Sequence, residues 1–98
     1  MFSSSPKSKK SVAEKKVSFE FFAPQAEAVE IAGTFNGWNP AQTPLKKDRE
    51  GKWKVTLALT PGRYEYRYRV DGGWQNDQKP GECVPNPYGT WNCILEVR

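Results

Sequence analysis

The sequence contains no histidine, only two cysteines and no apolar run long enough to cross a membrane. Without histidine or a C-x-x-C pair, Cys83 and Cys93 lack the partners of a zinc site, and we predict no metal or cofactor. The first residues lack the apolar region of a secretory signal, so we expect a cytoplasmic protein that does not bind membranes. Cytoplasmic thiols are normally reduced, but a Cys83–Cys93 disulfide across a hairpin-like loop stays open as an alternative.

The body of the chain has no excess of charge of either sign. Residues 1–16 carry five lysines and one glutamate, whereas residues 17–98 carry ten basic and ten acidic side chains. We predict a disordered basic tail over residues 1–15, with contact to an acidic partner as the less favoured role, and one folded domain over residues 16–98. A nucleic-acid-binding protein normally concentrates basic charge on its folded surface, so nucleic acid is not an expected ligand.

No segment has the apolar period of a helix, whereas alternation of apolar and polar residues predicts several strands. The clearest strands cover residues 17–22, 28–33, 52–59, 63–70 and 92–97. The third and fourth of these are joined by Pro61 and Gly62, which predicts that they pair as a hairpin. Residues 75–91 are rich in turn formers and are predicted to be mostly loop. The pattern indicates an all-β sandwich.

The tryptophans fall into two groups by their position in these patterns. Trp53 and Trp91 are in phase with apolar strand residues, which predicts that both lie in the core. Trp38 and Trp74 each follow a glycine in a turn, where a large indole is usually exposed. We expect Trp38 and Trp74 to form a binding platform; packing over the end of the sandwich is the alternative.

A pair of exposed indoles suits a sugar polymer. The face of a pyranose ring is made of C–H groups, which favour the electron-rich face of an indole, while its hydroxyls need nearby polar groups. Polar candidates beside the two turns are Asn36, Arg67, Thr90 and Asn92. Catalysis is not expected, because glycoside hydrolysis needs a placed pair of carboxyl groups and the loop carboxylates are more simply turn formers.

Three motifs, GTFNGWNP, VDGGWQND and YGTWNCILEV, occur in this order over roughly residues 16–98. Together they resemble the family 48 carbohydrate-binding modules, which include the glycogen-binding domain of the AMP-activated protein kinase beta subunit and the N-terminal modules of isoamylase and branching enzymes. The resemblance implies an early-set, immunoglobulin-like β-sandwich that binds α-1,4-linked glucans such as glycogen, starch or maltodextrins.

The resemblance also assigns roles to individual residues. It implies that Trp38 and Trp74 stack on sugar rings and that Arg67, where lysine is common in the family, bonds sugar hydroxyls. Thr90 and Asn92 fall on positions of polar contacts. Tyr88 falls where an apolar residue inserts into the sugar ring in the kinase domain, and a tyrosine there could stack instead.

We therefore expect a non-catalytic module whose partner is an α-glucan, with a glucan-active enzyme or a kinase complex as a further partner. The alternatives are a protein-interaction or regulatory scaffold domain on the same fold and an accessory module of a glucan-active enzyme.

Overall fold

The computed structural model describes residues 13–79 and 81–98, so most of the predicted tail lies outside the described residues. Within these ranges the chain forms two antiparallel sheets, and 3-10 turns cover Thr34–Asn36 and Pro40–Gln42. The strands are β1 Lys15–Phe22, β2 Val29–Gly33, β3 Lys46–Lys47, β4 Lys52–Leu59, β5 Gly62–Val70, β6 Gly73–Gln75, β7 Cys83–Pro85 and β8 Trp91–Val97. No helix in the described ranges could span a membrane.

The two sheets enclose a single core. The smaller sheet has the order β1-β4-β3, and the larger one has the order β2-β5-β8-β7, with β6 pairing the end of β5. The core is built mainly of aromatic and branched side chains that alternate along these strands. Its buried members are Phe19, Phe21, Val29, Ile31, Leu45, Trp53, Leu59, Tyr66, Tyr68, Cys93 and Val97. The predicted all-β sandwich is confirmed.

The core tyrosines of β5 also use their hydroxyl groups. Tyr66 donates a hydrogen bond to the Asp77 carboxylate (2.6 Å), and Tyr68 donates to the Glu20 carbonyl (3.3 Å). Burial raises the pKa of both tyrosines far above the ordinary value, so they remain neutral donors. Each aromatic ring therefore fills the core while its hydroxyl ties β5 to another segment.

The predicted hairpin between residues 52–59 and 63–70 is wrong. β4 lies in the smaller sheet and β5 in the larger one, so the chain crosses from one sheet to the other at Thr60–Gly62. The Tyr64 hydroxyl donates to the Thr60 carbonyl at 2.7 Å, which is the tyrosine corner found at such crossings in immunoglobulin-like domains. Both strands keep their apolar faces inward by packing on opposite sides of the core instead of pairing.

Other expectations differ from the structure at the strand ends. β1 begins at Lys15, two residues before the predicted strand, and the short strands β3, β6 and β7 were not expected. Trp53 is buried as predicted, but Trp91 is 54% exposed and does not belong to the core. Trp91 points to the same face of the sheet as the buried Cys93. It pairs with the exposed Pro85 of edge strand β7, at a place where the core does not reach this face.

The turn after β5 is held by Asp71. Its carboxylate oxygen Oδ1 accepts hydrogen bonds from the backbone N–H groups of Glu27 (2.8 Å) and Ala28 (2.9 Å), just before β2. Asp71 has φ 48°, a left-handed conformation that aspartate and asparagine tolerate better than most residues. Because β6 and Trp74 follow directly, Asp71 sets the direction in which Trp74 leaves the sheet.

Replacing Asp71 tests this role. We expect Asp71→Ala to lower the free energy of unfolding by about 1–3 kcal/mol, because two backbone donors lose their acceptor. Asp71→Asn keeps an acceptor at Oδ1 and tolerates the same backbone conformation, so its loss should be clearly smaller. Urea denaturation of both variants measures the difference. Equal losses would show that the negative charge, and not the acceptor geometry, holds the turn.

Candidate functional site

A groove with a volume of about 860 Å³ lies on the outer face of the larger sheet, away from the core. It is formed by the loop after β2, the outward side chains of β5 and β8, the short strand β6, and the β7–β8 loop. Its lining consists of Trp38, Glu65, Arg67, Trp74, Asn86, Pro87, Tyr88, Thr90 and Asn92. The structure thus brings together six of the seven predicted site residues.

Trp38 is held by an unusual backbone conformation. Gly37 and Trp38 both have positive φ, 66° and 61°, and the Trp38 N–H donates to the Gly33 carbonyl at 2.8 Å. A left-handed conformation at a residue as bulky as tryptophan is uncommon and costs roughly 1–3 kcal/mol. The rest of the loop holds Trp38 in this unfavourable conformation, and its indole lines the groove as a result.

Asn36, the remaining predicted site residue, does not line the groove. Its side-chain oxygen accepts from the Gly33 N–H (3.0 Å), and its amide nitrogen donates to the Ile31 carbonyl (3.1 Å) and the Thr43 hydroxyl (2.9 Å). The side chain is used within its own loop because a tight turn leaves backbone groups that need partners. Asn36 therefore stabilises the loop that carries Trp38 and does not line the groove.

Trp74 lies on β6 opposite Arg69 and is 42% exposed. The Arg69 guanidinium carbon is 5.8 Å from the centre of the indole ring, within the range of a cation–π contact. Since opposed residues on neighbouring strands point to the same face, Trp74 projects from the same side of the sheet as Arg67. The second tryptophan is thus supported by an arginine beneath one face and open to the groove.

Arg67 and Glu65 project into the groove from β5. Arg67 donates from Nε to the Asn76 side-chain oxygen (3.1 Å) and from one terminal nitrogen to the Thr90 hydroxyl (3.2 Å). Glu65 accepts a hydrogen bond from the Asn92 amide at 3.0 Å. Within the described residues, these contacts use two of the five N–H donors of Arg67, so the remaining donors are available to a ligand.

The β7–β8 loop is organised by Asn86. Its side-chain oxygen accepts from the backbone N–H groups of Tyr88 (3.0 Å) and Thr90 (3.1 Å), and its amide nitrogen donates to the Thr90 hydroxyl (2.7 Å) and the Asn92 oxygen (2.9 Å). Such local bonds make asparagine an effective turn former. They leave Tyr88 at the tip of the loop, 87% exposed, facing the groove.

Sequence reasoning missed Glu65, Asn86 and Pro87 as groove residues. Glu65 could have been found, because it precedes Arg67 by two residues and therefore shares its face of the strand. Asn86 stands before a Pro-Tyr-Gly turn, which is a typical position for a side chain that caps a loop. No group of three or more metal-ligating side chains occurs among residues 13–79 and 81–98.

Comparison with protein families identifies the family to which this fold belongs. A model of the family described as carbohydrate-binding module 48 (isoamylase N-terminal domain) matches residues 4–96. The chain belongs to this family. The all-β sandwich is therefore that of a carbohydrate-binding module.

Relatives of this carbohydrate-binding module 48 chain are much longer proteins. It is 32% identical to protein FLOURY ENDOSPERM 6 of Oryza sativa over 88 residues, which cover 90% of this chain and 16% of the relative. It is 38% identical to the 1,4-alpha-glucan branching enzyme GlgB of Deinococcus radiodurans, covering 84% of this chain and 11% of that enzyme. Identity to the phosphoglucan phosphatase DSP4 of Castanea sativa is 35%, over 76% of this chain and 20% of the phosphatase.

The role of Asn86 can be tested without a ligand. We expect Asn86→Ala to speed hydrogen exchange of the Tyr88 and Thr90 backbone amides roughly tenfold, because both lose their acceptor. Asn39→Ala is the matched control, since Asn39 makes the same kind of loop contact with the Ala41 N–H at 3.1 Å but does not line the groove. Unchanged exchange in Asn86→Ala would contradict a positioning role.

Proposed function

We propose that this chain is a non-catalytic module that binds α-1,4-linked glucans by stacking sugar rings on Trp38 and Trp74. The observation that carries the proposal is that both indoles line one groove together with Arg67 and Asn92. The volume of the groove, about 860 Å³, suits a glucan segment of several sugar units, since ligand sites in proteins span roughly 300–1,000 Å³.

The stacking argument rests on the character of the groove. Indole faces bind the C–H faces of sugar rings through dispersion and removal of apolar area from water. The turn at Trp38 sets the direction in which its side chain leaves the backbone, and Arg69 contacts the Trp74 ring; both reduce the conformational entropy lost when a sugar is bound. Two aromatic faces on one groove favour an extended or curved polymer over a single small sugar.

Hydroxyl recognition falls mainly to Arg67, with Glu65 as an added acceptor. Asn92 is only 8% exposed, and its amide already donates to Glu65 and accepts from Asn86, so Asn92 chiefly orients these two side chains. The Thr90 hydroxyl is already bonded to Asn86 and Arg67, so in this proposal Thr90 orients Arg67 more than it contacts sugar. Glu65 is the one carboxylate among the described residues of the groove. Glycoside hydrolysis uses two carboxyl groups, so bond cleavage is not part of the proposal.

Tyr88 provides the third apolar surface. It is exposed at the tip of the Asn86-organised loop, where its ring is free to lie along a sugar face. A flat phenol favours stacking beside the glucan over insertion into the turn of a looped glucan, so linear segments are the expected ligand.

The names of the relatives are consistent with a glucan ligand. They include a 1,4-alpha-glucan branching enzyme and a phosphoglucan phosphatase, and we infer by analogy that this module holds a glucan for such an activity. The groove is open and shallow, so we expect a Kd on the order of micromolar to millimolar for short oligosaccharides. Repeated sites on one polymer would raise the apparent affinity.

Substitution of the tryptophans tests the proposal directly. We expect Trp38→Gly and Trp74→Ala each to weaken glucan binding by about 1–3 kcal/mol, by analogy with the loss of aromatic stacking on other flat ligands. Glycine suits position 38 because the backbone there has φ 61°, so removal of the ring adds no strain. Native gel retardation in glycogen or amylopectin provides the measurement, with circular dichroism to verify the fold.

Trp91→Ala is the matched control. Trp91 is exposed, as Trp74 is, whereas Trp38 is half-buried; Trp91 does not line the groove and has the phase of the opposite face of the sheet. Retardation should therefore persist in Trp91→Ala. If no α-glucan retards the wild-type chain, the proposal fails and the protein-interaction role on the same fold gains support.

The geometry of Arg67 gives a second test. We expect Arg67→Lys to weaken glucan binding about threefold to tenfold, because an ammonium group cannot hold Asn76 and Thr90 and also bond a sugar hydroxyl in the same geometry. Arg63→Lys is the control on the same face of β5, since Arg63 is exposed and does not line the groove. Isothermal titration with maltoheptaose compares the variants, and equal affinities would remove Arg67 from the site.

A further inference from the structure

Cys83 and Cys93 lie directly opposite each other on β7 and β8. The neighbouring hydrogen bonds, from the Ile94 N–H to the Glu82 carbonyl and from the Asn86 N–H to the Thr90 carbonyl, both measure 2.9 Å. Because hydrogen-bonded and non-hydrogen-bonded pairs alternate along an antiparallel ladder, the two cysteines occupy a non-hydrogen-bonded pair.

This position suits a disulfide without movement of the strands. Opposed residues of a non-hydrogen-bonded pair have Cα atoms about 4.5 Å apart, with side chains on the same face. Disulfides form across Cα separations of about 4.4–6.8 Å. The separation typical of such a pair therefore falls within the range that the bond requires, and both thiols are free in this structure.

The two thiols differ in their surroundings. Cys83 is exposed on the edge strand, whereas Cys93 is 5% exposed and its sulfur accepts hydrogen bonds from the Asp77 N–H (3.2 Å) and the Asn76 amide (3.5 Å). Burial raises the pKa of Cys93, which keeps it protonated and unreactive until a neighbouring sulfur is activated. A pocket of about 220 Å³ is lined by both cysteines.

The segment between the cysteines carries one side of the groove. Asn86, Tyr88, Thr90 and Asn92 all lie between or next to them, and β7 is a three-residue edge strand. A short edge strand separates from its neighbour at a low free-energy cost. The order of this side of the groove therefore depends on β7 staying paired with β8.

We propose that Cys83 and Cys93 form a reversible cross-strand disulfide that closes the β7–β8 hairpin and orders one side of the groove. Formation of the bond rests on the pairing of the two cysteines and is independent of any glucan function. Its effect on glucan affinity rests on the function proposed above. The bond adds a covalent restraint to a loop that is otherwise held by backbone pairing and the Asn86 side chain.

The reaction is balanced as a thiol–disulfide exchange with a small disulfide such as glutathione disulfide. The exposed Cys83 thiolate attacks the oxidant, forms a mixed disulfide and releases one glutathione thiolate. Cys93 then loses its proton and attacks the Cys83 sulfur, which releases the second glutathione thiolate. The two cysteines lose two protons and two electrons, and the glutathione disulfide is reduced to two thiols.

Intact-mass measurement after incubation in glutathione redox buffer tests the bond. We expect the folded wild-type chain to lose two hydrogens and both reactive thiols and to keep no glutathione. Cys93→Ser should retain one glutathione on Cys83, and Cys83→Ser, which alters only an exposed residue, should gain none. The oxidised wild type should melt roughly 5–15 °C higher than the reduced form. A stable glutathione adduct on wild-type Cys83 with Cys93 still free would overturn the proposal.

Titration with maltoheptaose tests the link to the groove. The oxidised chain should bind about twofold to tenfold more tightly than the reduced chain, because an ordered loop loses less entropy on binding. Cys83→Ser should bind equally under both conditions. Equal affinity of the two wild-type forms would overturn the link. If the disulfide forms but neither form binds any glucan, the glucan function fails while the cysteine pair stands.

Discussion

Packing between the aromatic rings of β5 and β1 determines how the rest of the molecule is arranged. The ring centres of Phe21 and Tyr68 are 4.8 Å apart, and those of Phe19 and Tyr66 are 5.5 Å apart in an edge-on contact. Successive residues of a strand point to opposite faces, so burial of these tyrosines directs Glu65 and Arg67 outward. A shift of one residue would place charged side chains in the core and remove the polar side of the groove.

The residues just after β6 tie the two sheets and the groove together. Asn76 links the Arg67 guanidinium to the backbone carbonyl of Trp91, and Asp77 accepts from the Tyr66 hydroxyl. Gln78 forms two hydrogen bonds with the backbone of Phe22, 2.8 and 2.7 Å long, and so pairs with the outer edge of β1. A segment with almost no apolar residues thus satisfies backbone groups of Trp91 and Phe22 at strand ends and side-chain groups of Arg67 and Tyr66 on β5.

The groove has one rigid side and one adaptable side. Trp38 is held by the turn after β2, and Trp74 lies on β6, which pairs with the central strand β5, whereas Tyr88 is presented by a loop on the edge strand β7. A polar network runs from Glu65 through Asn92, Asn86 and Thr90 to Arg67, and it connects the two sides. Because the Cys83–Cys93 pair lies at the base of the edge loop, covalent closure there would act on the adaptable side alone.

The sequence by itself determined the fold class, the inward face of β5, the burial of Trp53 and the turn position of Trp38, because these depend on local alternation and turn chemistry. Trp74, predicted in a similar turn, lies on the short strand β6 because its segment pairs with β5. Only the tertiary structure decided which strands pair. The short Pro61-Gly62 connection predicts a hairpin. In the structure the two flanking strands lie in different sheets, and each buries its apolar face by packing on its own side of the core. Trp91 alternates in phase with core residues, but it is exposed because the opposite sheet does not extend over it. The Asn36 side chain bonds within its own loop and does not reach the groove. Exposure and the choice of hydrogen-bond partner depend on contacts that the local pattern does not contain.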